Sequence, residues 1–233
     1  MGAKSRRSRR KPWIPLAAGI AVLAVLVAVI VNRGNGEDET DSASETSEEN
    51  PYADLGEELS RREADDPQAL GEKDAPVVLI AYSDYNCPYC GRWSRETKPE
   101  LMPYVDSGDL RIEWREFPYL GDDSTKLAHA AFAAGEQGRF WEFHNAYYEL
   151  GEKYTGSELD EVISDIVGDL GLDRERFDED RAGDDIAAAV EADFQEGLGI
   201  GVNATPTFLV NGQPILGAQP TQTFVDTIEK AIP

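Results

Sequence analysis

A chain of 233 residues, 41% of them hydrophobic, has room for one ordinary domain and further segments. The formal net charge is −23, and seven of the 22 basic residues lie in the first 36 positions, which hold no acid. Residues 37–233 therefore carry 15 bases against 45 acids, or −30; such a surface repels nucleic acid and excludes a groove-reading basic face. Strong acidity with only seven lysines fits a salt-rich habitat or a very soluble extracellular domain, and composition does not choose between them. Only two cysteines occur, three positions apart, which excludes a secreted scaffold held by scattered disulfides.

In chain order, residues 1–12 form a basic tail and residues 13–31 an uncharged apolar run from Trp13 to Val31. At 1.5 Å per residue, a helix of that length nearly spans a bilayer core of about 30 Å. The basic cluster ahead of it predicts a single-pass anchor, with a cytoplasmic N-terminus and the rest of the chain outside. A cleaved signal peptide is the alternative, but no small-x-small site follows Val31. Residues 32–73 read as an acidic linker: Gly36 to Asn50 holds one Ala as its only apolar residue and predicts disorder. Within the linker, Leu55 to Ala64 suits a short charged helix.

From Asp74 the texture changes, and residues 74–233 read as the folded domain. Val77 to Tyr82 is a continuous apolar run suited to a strand buried on both faces. It leads into Cys87-Pro88-Tyr89-Cys90, after which Trp93, Thr97, Leu101 and Val105 recur at helical spacing, with a kink expected at Pro99. Leu110 to Phe117 is a second strand, and the three elements make a βαβ unit. Helical stripes then fill about 122–200: Phe140, Phe143, His144, Tyr147 and Tyr148; Leu159, Val162, Ile163, Ile166, Val167 and Leu170, with Ser157 and Asp160 as a capping box; Ile186, Val190, Phe194 and Leu198. Thr207 to Val210, an Asn211-Gly212 turn, Pro214 to Leu216 and a final helix through Phe224, Val225, Ile228 and Ile232 close the chain. The class is α/β with a helical insertion.

A C-x-x-C at a strand end, opening a helix, has a chemical logic. The helix N-terminus offers unpaired N–H groups and partial positive charge that stabilise a thiolate. Cys87 is thus the candidate nucleophile, Cys90 the thiol that reaches back, and Pro88 sits where its fixed φ costs nothing. Three other readings compete: half a zinc site completed by His129 and His144, an inert structural disulfide over a very short loop, and an inactive copy. A C-x-x-C beside a βαβ pattern favours redox chemistry over all three, with no metal and no cofactor.

Several stretches resemble the DsbA-like branch of the thioredoxin superfamily: Asp74-Ala75-Pro76-Val77, Tyr82 through Cys90, Gly138 through His144, and Gly201 through Gly212. The resemblance covers about residues 70–233 and implies a thioredoxin-like fold with a helical insertion. It also implies that Pro206 is a cis-proline facing the cysteines, with Thr205 offering its backbone to an extended client peptide. One departure stands out. Family members commonly carry a buried carboxylate six residues before the first cysteine, and that position here is Ala81. The implied activity is an extracytoplasmic dithiol oxidase acting on exported proteins with free thiols and re-oxidised by a membrane redox partner. A reductase or isomerase on the same fold, and a peptide-binding module without turnover, are the alternatives.

Overall fold

The apolar run becomes strand β2 (Val77–Ser83), every residue of which is buried. A strand without a solvent face needs neighbours on both sides and cover above and below. On one side it pairs in parallel with β3 (Leu110–Glu116), in register from Val77 with Leu110 to Ser83 with Glu116. On the other it pairs antiparallel with β4 (Thr207–Val210). The two-residue turn Asn211-Gly212, both at positive φ, folds β4 back into β5 (Gln213–Leu216). A short β1 (Ala69–Leu70) adds antiparallel to β3, giving the order β1-β3-β2-β4-β5. These elements belong to residues 52–233, the part that the computed structural model describes. The expected anchor at 13–31 and the first part of the linker lie outside the described residues, among which no helix is long and apolar enough to cross a membrane.

Helices cover both faces of the sheet. They are α1 (Ala53–Leu59), α2 (Pro88–Arg92), α3 (Lys98–Asp106), α4 (Asp122–Gly135), α5 (Phe140–Glu149), α6 (Gly156–Asp169), α7 (Arg174–Ala182), α8 (Asp184–Gly199) and α9 (Thr221–Ala231). The helices α4 to α8 between β3 and β4 are the insertion expected at about 122–200. One sheet face, with Val77, Leu79, Ala81, Ile112 and Trp114, packs into the main core with Leu127, Phe143, Phe208 and Phe224. Val78, Ile80, Tyr82, Phe117 and Leu209 make a second, smaller cluster on the other face.

Part of that second face is ionic. Glu113 in β3 accepts hydrogen bonds from Arg111 Nε (2.7 Å) and Arg115 Nη2 (2.9 Å), and from the backbone N–H groups of Arg61 (3.0 Å) and Arg62 (2.9 Å). Burial pushes this carboxyl up, but these donors outweigh it and hold Glu113 at about 2. Arg61 also pairs with the buried Asp193 of α8. The second half of the 32–73 segment is thereby laid onto the sheet. The helix expected at Leu55–Ala64 stops at Leu59, because the chain leaves it at Ser60 and the N–H groups of Arg61 and Arg62 turn to Glu113.

Three local expectations change. The break between α2 and α3 is a π-helical turn, Trp93–Thr97, and Pro99 lies just beyond it in the first turn of α3, where no N–H is required. The Ser157–Asp160 capping box does not form: Thr155 is the N-cap of α6 and makes no side-chain cap, while Asp160 pairs with Lys126 of α4 at 2.9 Å. Leu198, counted in the third apolar stripe, is exposed near the end of α8.

Candidate functional site

Beyond Ser83 the chain turns sharply, and the turn is built by Asp84. Its buried carboxylate accepts from the N–H of Asn86 (2.7 Å) and of Leu120 (2.8 Å), while its carbonyl accepts from the N–H of Cys87 (3.0 Å). That fixes Cys87 as the N-cap of α2, with Pro88 in the first helical turn and the N–H groups of Cys90 and Gly91 both directed at the Cys87 carbonyl (3.1 Å each). Cys87 is 6% exposed and Cys90 fully buried, and both are free thiols. Tyr89 projects outward at 59% exposure, with the Arg92 guanidinium over its ring.

The loop before β4 completes the site. The Thr205–Pro206 peptide bond is cis, and the Thr205 carbonyl oxygen accepts from Cys87 Sγ at 3.2 Å. Residues 118 positions apart thus meet at one sulfur. Cys87 also lines an open groove together with Tyr85, Gly91, Arg95, Tyr147 and Tyr148. All the sequence-derived site residues therefore gather in one place except Tyr89, whose ring faces solvent.

The two thiols live in opposite electrostatic settings. The Cys90 thiol beside it, the Thr205 side chain and the N–H groups of Cys90 and Tyr89 stabilise a Cys87 thiolate against the cost of partial burial, pulling Cys87 down to about 6. Cys90 goes the other way. Burial, then the negative charge developing on Cys87, push it well above a free thiol, although the Asp84 N–H and the Ser83 hydroxyl are directed at its sulfur. One sulfur is thus readied as nucleophile and leaving group, and the other is held as a thiol.

Motif reading did not single out two buried polar residues at the ends of the central strands. Ser83 and Glu116 are register partners across β2 and β3, and both point to the main-core face. Ala81, where family members commonly carry a carboxylate, pairs with Trp114, two residues before Glu116. The period of two in Leu110-Arg111-Ile112-Glu113-Trp114-Arg115-Glu116 did carry a signal. Glu116 falls in phase with Leu110, Ile112 and Trp114, an acid on the apolar side of the strand.

Residues 63–230 match the sequence model of the family described as Thioredoxin. A probable disulfide bond formation protein D from Bacillus anthracis is 31% identical over 151 residues, 62% of this chain and 70% of that protein. The chain is a DsbA-like member of the thioredoxin superfamily. Solved structures agree with the topology: BdbD from Bacillus subtilis, in its oxidised form, superposes with a TM-score of 0.63 at 25% identity, over 70% of this chain and 91% of that one. Wolbachia pipientis alpha-DsbA1 gives a TM-score of 0.64 at 21% identity, over 70% and 89%, and speaks to the fold alone. This DsbA-like protein is a protein thiol-disulfide oxidoreductase.

Proposed function

We propose that the protein is an extracytoplasmic dithiol oxidase that introduces disulfides into exported proteins, with Cys87 and Cys90 as its redox pair. The observation that carries the direction is the split between the thiols: a stabilised Cys87 thiolate favours the reduced form of the enzyme and makes its disulfide oxidising. A client thiolate attacks Cys87 Sγ, the S–S bond breaks, and its electron pair passes to Cys90 Sγ. A second client thiolate then attacks the client sulfur of the mixed disulfide and releases Cys87 as a thiolate. The client loses two electrons and the Cys87–Cys90 disulfide gains them; a membrane redox partner takes them up in turn. Thr205 offers its backbone to the extended client beside Cys87. The apolar run 13–31 supplies the anchor and the basic residues before it the orientation.

The test is a trap combined with a potential. Cys90→Ser removes the internal thiol that would free a stalled client, so mixed disulfides on Cys87 accumulate as reducible high-mass species; Cys87→Ser gives none. The reduction potential of the wild-type pair lies well above the roughly −270 mV of a reducing thioredoxin. A potential at or below that value reverses the direction to reductase, and absence of adducts from Cys90→Ser ends the exchange role of this pair.

A further inference from the structure

The charge beside Cys87 runs against the charge of the domain. Residues 37–233 hold 45 acids against 15 bases. The groove that Cys87 lines nevertheless carries two cations, Arg95 and Lys153, and among its lining residues only one acid, Glu152. Arg95 is half-buried and held in place, its Nη1 donating to the Tyr148 carbonyl at 2.7 Å. Among the described residues it has no carboxylate within ion-pair distance, whereas Arg61, Arg111 and Arg115 each have one. In so acidic a chain, a fixed guanidinium left without a carboxylate is free to take one from another molecule.

The backbone makes room for that guanidinium close to the reactive sulfur. Gly91 lies one turn of α2 beyond Cys87, its N–H on the Cys87 carbonyl at 3.1 Å. A Cβ at Gly91 would stand 2.9 Å from Arg95 Nη1 and 3.2 Å from Tyr148 Cδ1, so the glycine is what lets Arg95 lie across the helix start. The hydroxyls of the two wall tyrosines are already engaged, Tyr148 with the Asp84 carbonyl at 3.1 Å and Tyr147 with Asn86 Oδ1 at 3.4 Å. Arg95 is therefore the strongest fixed donor that the groove offers. We propose that the groove takes a carboxylate side chain of the client, an Asp or Glu within about two residues of the cysteine that attacks Cys87. The enzyme then prefers thiols in acidic sequence.

Reach and charge both fit. An extended peptide advances about 3.3–3.6 Å per residue, so two residues carry a side chain about 7 Å from a sulfur that itself borders the groove. Arg95 holds the carboxylate by its remaining N–H donors, against aromatic walls that weaken the competition from water. Lys153, on the exposed loop after α5, adds attraction at the rim, and the exposed Glu152 beside it takes part of that away. The rest of the domain repels an acidic client at long range. Salt screens that repulsion more than it screens a contact pair in a groove. The inference rests on disulfide exchange at Cys87, in either direction, and names the class of client that this exchange favours.

The test uses the oxidised full chain and three dithiol peptides whose first cysteine is flanked, two residues away on either side, by Glu, by Gln or by Lys. Rates are divided by each peptide's thiolate fraction and taken at about 0.3 M NaCl, where long-range repulsion is screened. In kcat/KM the wild type favours the Glu peptide over the Gln peptide by about tenfold, with the Lys peptide poorest. Arg95→Gln brings the Glu-to-Gln ratio to within about twofold, and Arg95→Lys restores part of it. The same peptides with serine for both cysteines, followed by fluorescence anisotropy, bind the full chain in the same order without any exchange. An equal ratio in wild type and Arg95→Gln overturns the inference, as does equal binding of the Glu and Gln serine peptides. Should Arg95→Gln fail to fold, Lys153→Gln at the rim lowers the ratio about threefold, and an unchanged ratio there overturns it. A wild type that binds with this preference but does not exchange sinks the oxidase role and leaves the groove's preference standing.

Discussion

Cys87 and Cys90 were legible as an unequal pair, with Cys87 the nucleophile, because the motif is contiguous and opens a helix; the near-complete burial of both thiols was not, since it comes from distant elements packed around them. That inequality has a thermodynamic consequence for the reduced protein. The folded value of Cys87, about 6, lies below the free-thiol value of about 8.5. The unfolded chain therefore holds its proton longer, and stability rises with pH through the window from about 6 to about 8.5. It is lost again as pH falls through the folded value. Cys90 has the opposite sign: with its folded value raised, it withdraws stability above about 8.5. Reduced wild type measured against Cys87→Ser should gain about 3 kcal/mol across that window. Paired denaturant melts at pH 6 and pH 8.5 check it, and a constant difference would show that Cys87 is not stabilised as a thiolate. The Thr205 contact came only from the family resemblance, because nothing local in Ala204-Thr205-Pro206 points to a sulfur 118 positions away. Glu116 was hidden by its neighbours: Glu113 and the two arginines made the whole strand look polar, although only one acid sits on the core face.

Among the elements, those announced by a continuous apolar run or a two-residue turn were plain in the sequence. The β2 run and the β4–β5 turn are where expected, because a doubly buried strand tolerates no polar interruption and Asn-Gly suits two positive φ values. The π-helical turn was not, since the spacing of Trp93, Thr97, Leu101 and Val105 reads as one helix kinked at Pro99, and nothing in it marks the wider turn before that proline. The start of the ordered region was also obscured. Residues 53–70 are acidic and share the linker's composition, yet α1 is pressed against the β4–β5 turn. A side chain at Gly56 would run into the backbone of Asn211 and Gly212, and one at Gly212 into Tyr52 and Gly56. Gly212 also needs its φ of +82°. Gly212→Ala should therefore cost more than the ~1 kcal/mol of a simple positive-φ substitution. It should lower Tm by several degrees and speed amide exchange at Gly56 and Ser60, whose N–H bonds close α1. A melt within a degree of wild type would mean that α1 and the turn are not tightly joined.

The whole molecule carries its charge unevenly, and the structure shows which part of it matters. The buried acids are committed: Glu113 lies between Arg111 and Arg115, and Asp193 pairs with Arg61. Pairs of this kind are little screened by salt. Most of the remaining negative charge lies outside such pairs, much of it along α6, α7 and α8, where exposed ion pairs such as Arg176–Asp180 are worth at most about 1 kcal/mol. Their mutual repulsion is long-ranged and opposes the compact state. Raising ionic strength from 0.1 M to 1 M shortens the Debye length from about 10 Å to about 3 Å, which reaches this repulsion and leaves the buried network almost untouched. Tm should thus climb with NaCl and level off once the Debye length falls below the spacing of neighbouring carboxylates. Choline chloride should do the same, since screening depends on ionic strength and not on the cation. An equal concentration of sucrose osmoles separates this from stabilisation by an excluded solute. A Tm that is flat in both salts would show the surface acids to be harmlessly dispersed, and a rise confined to NaCl would point to specific sodium binding in place of screening.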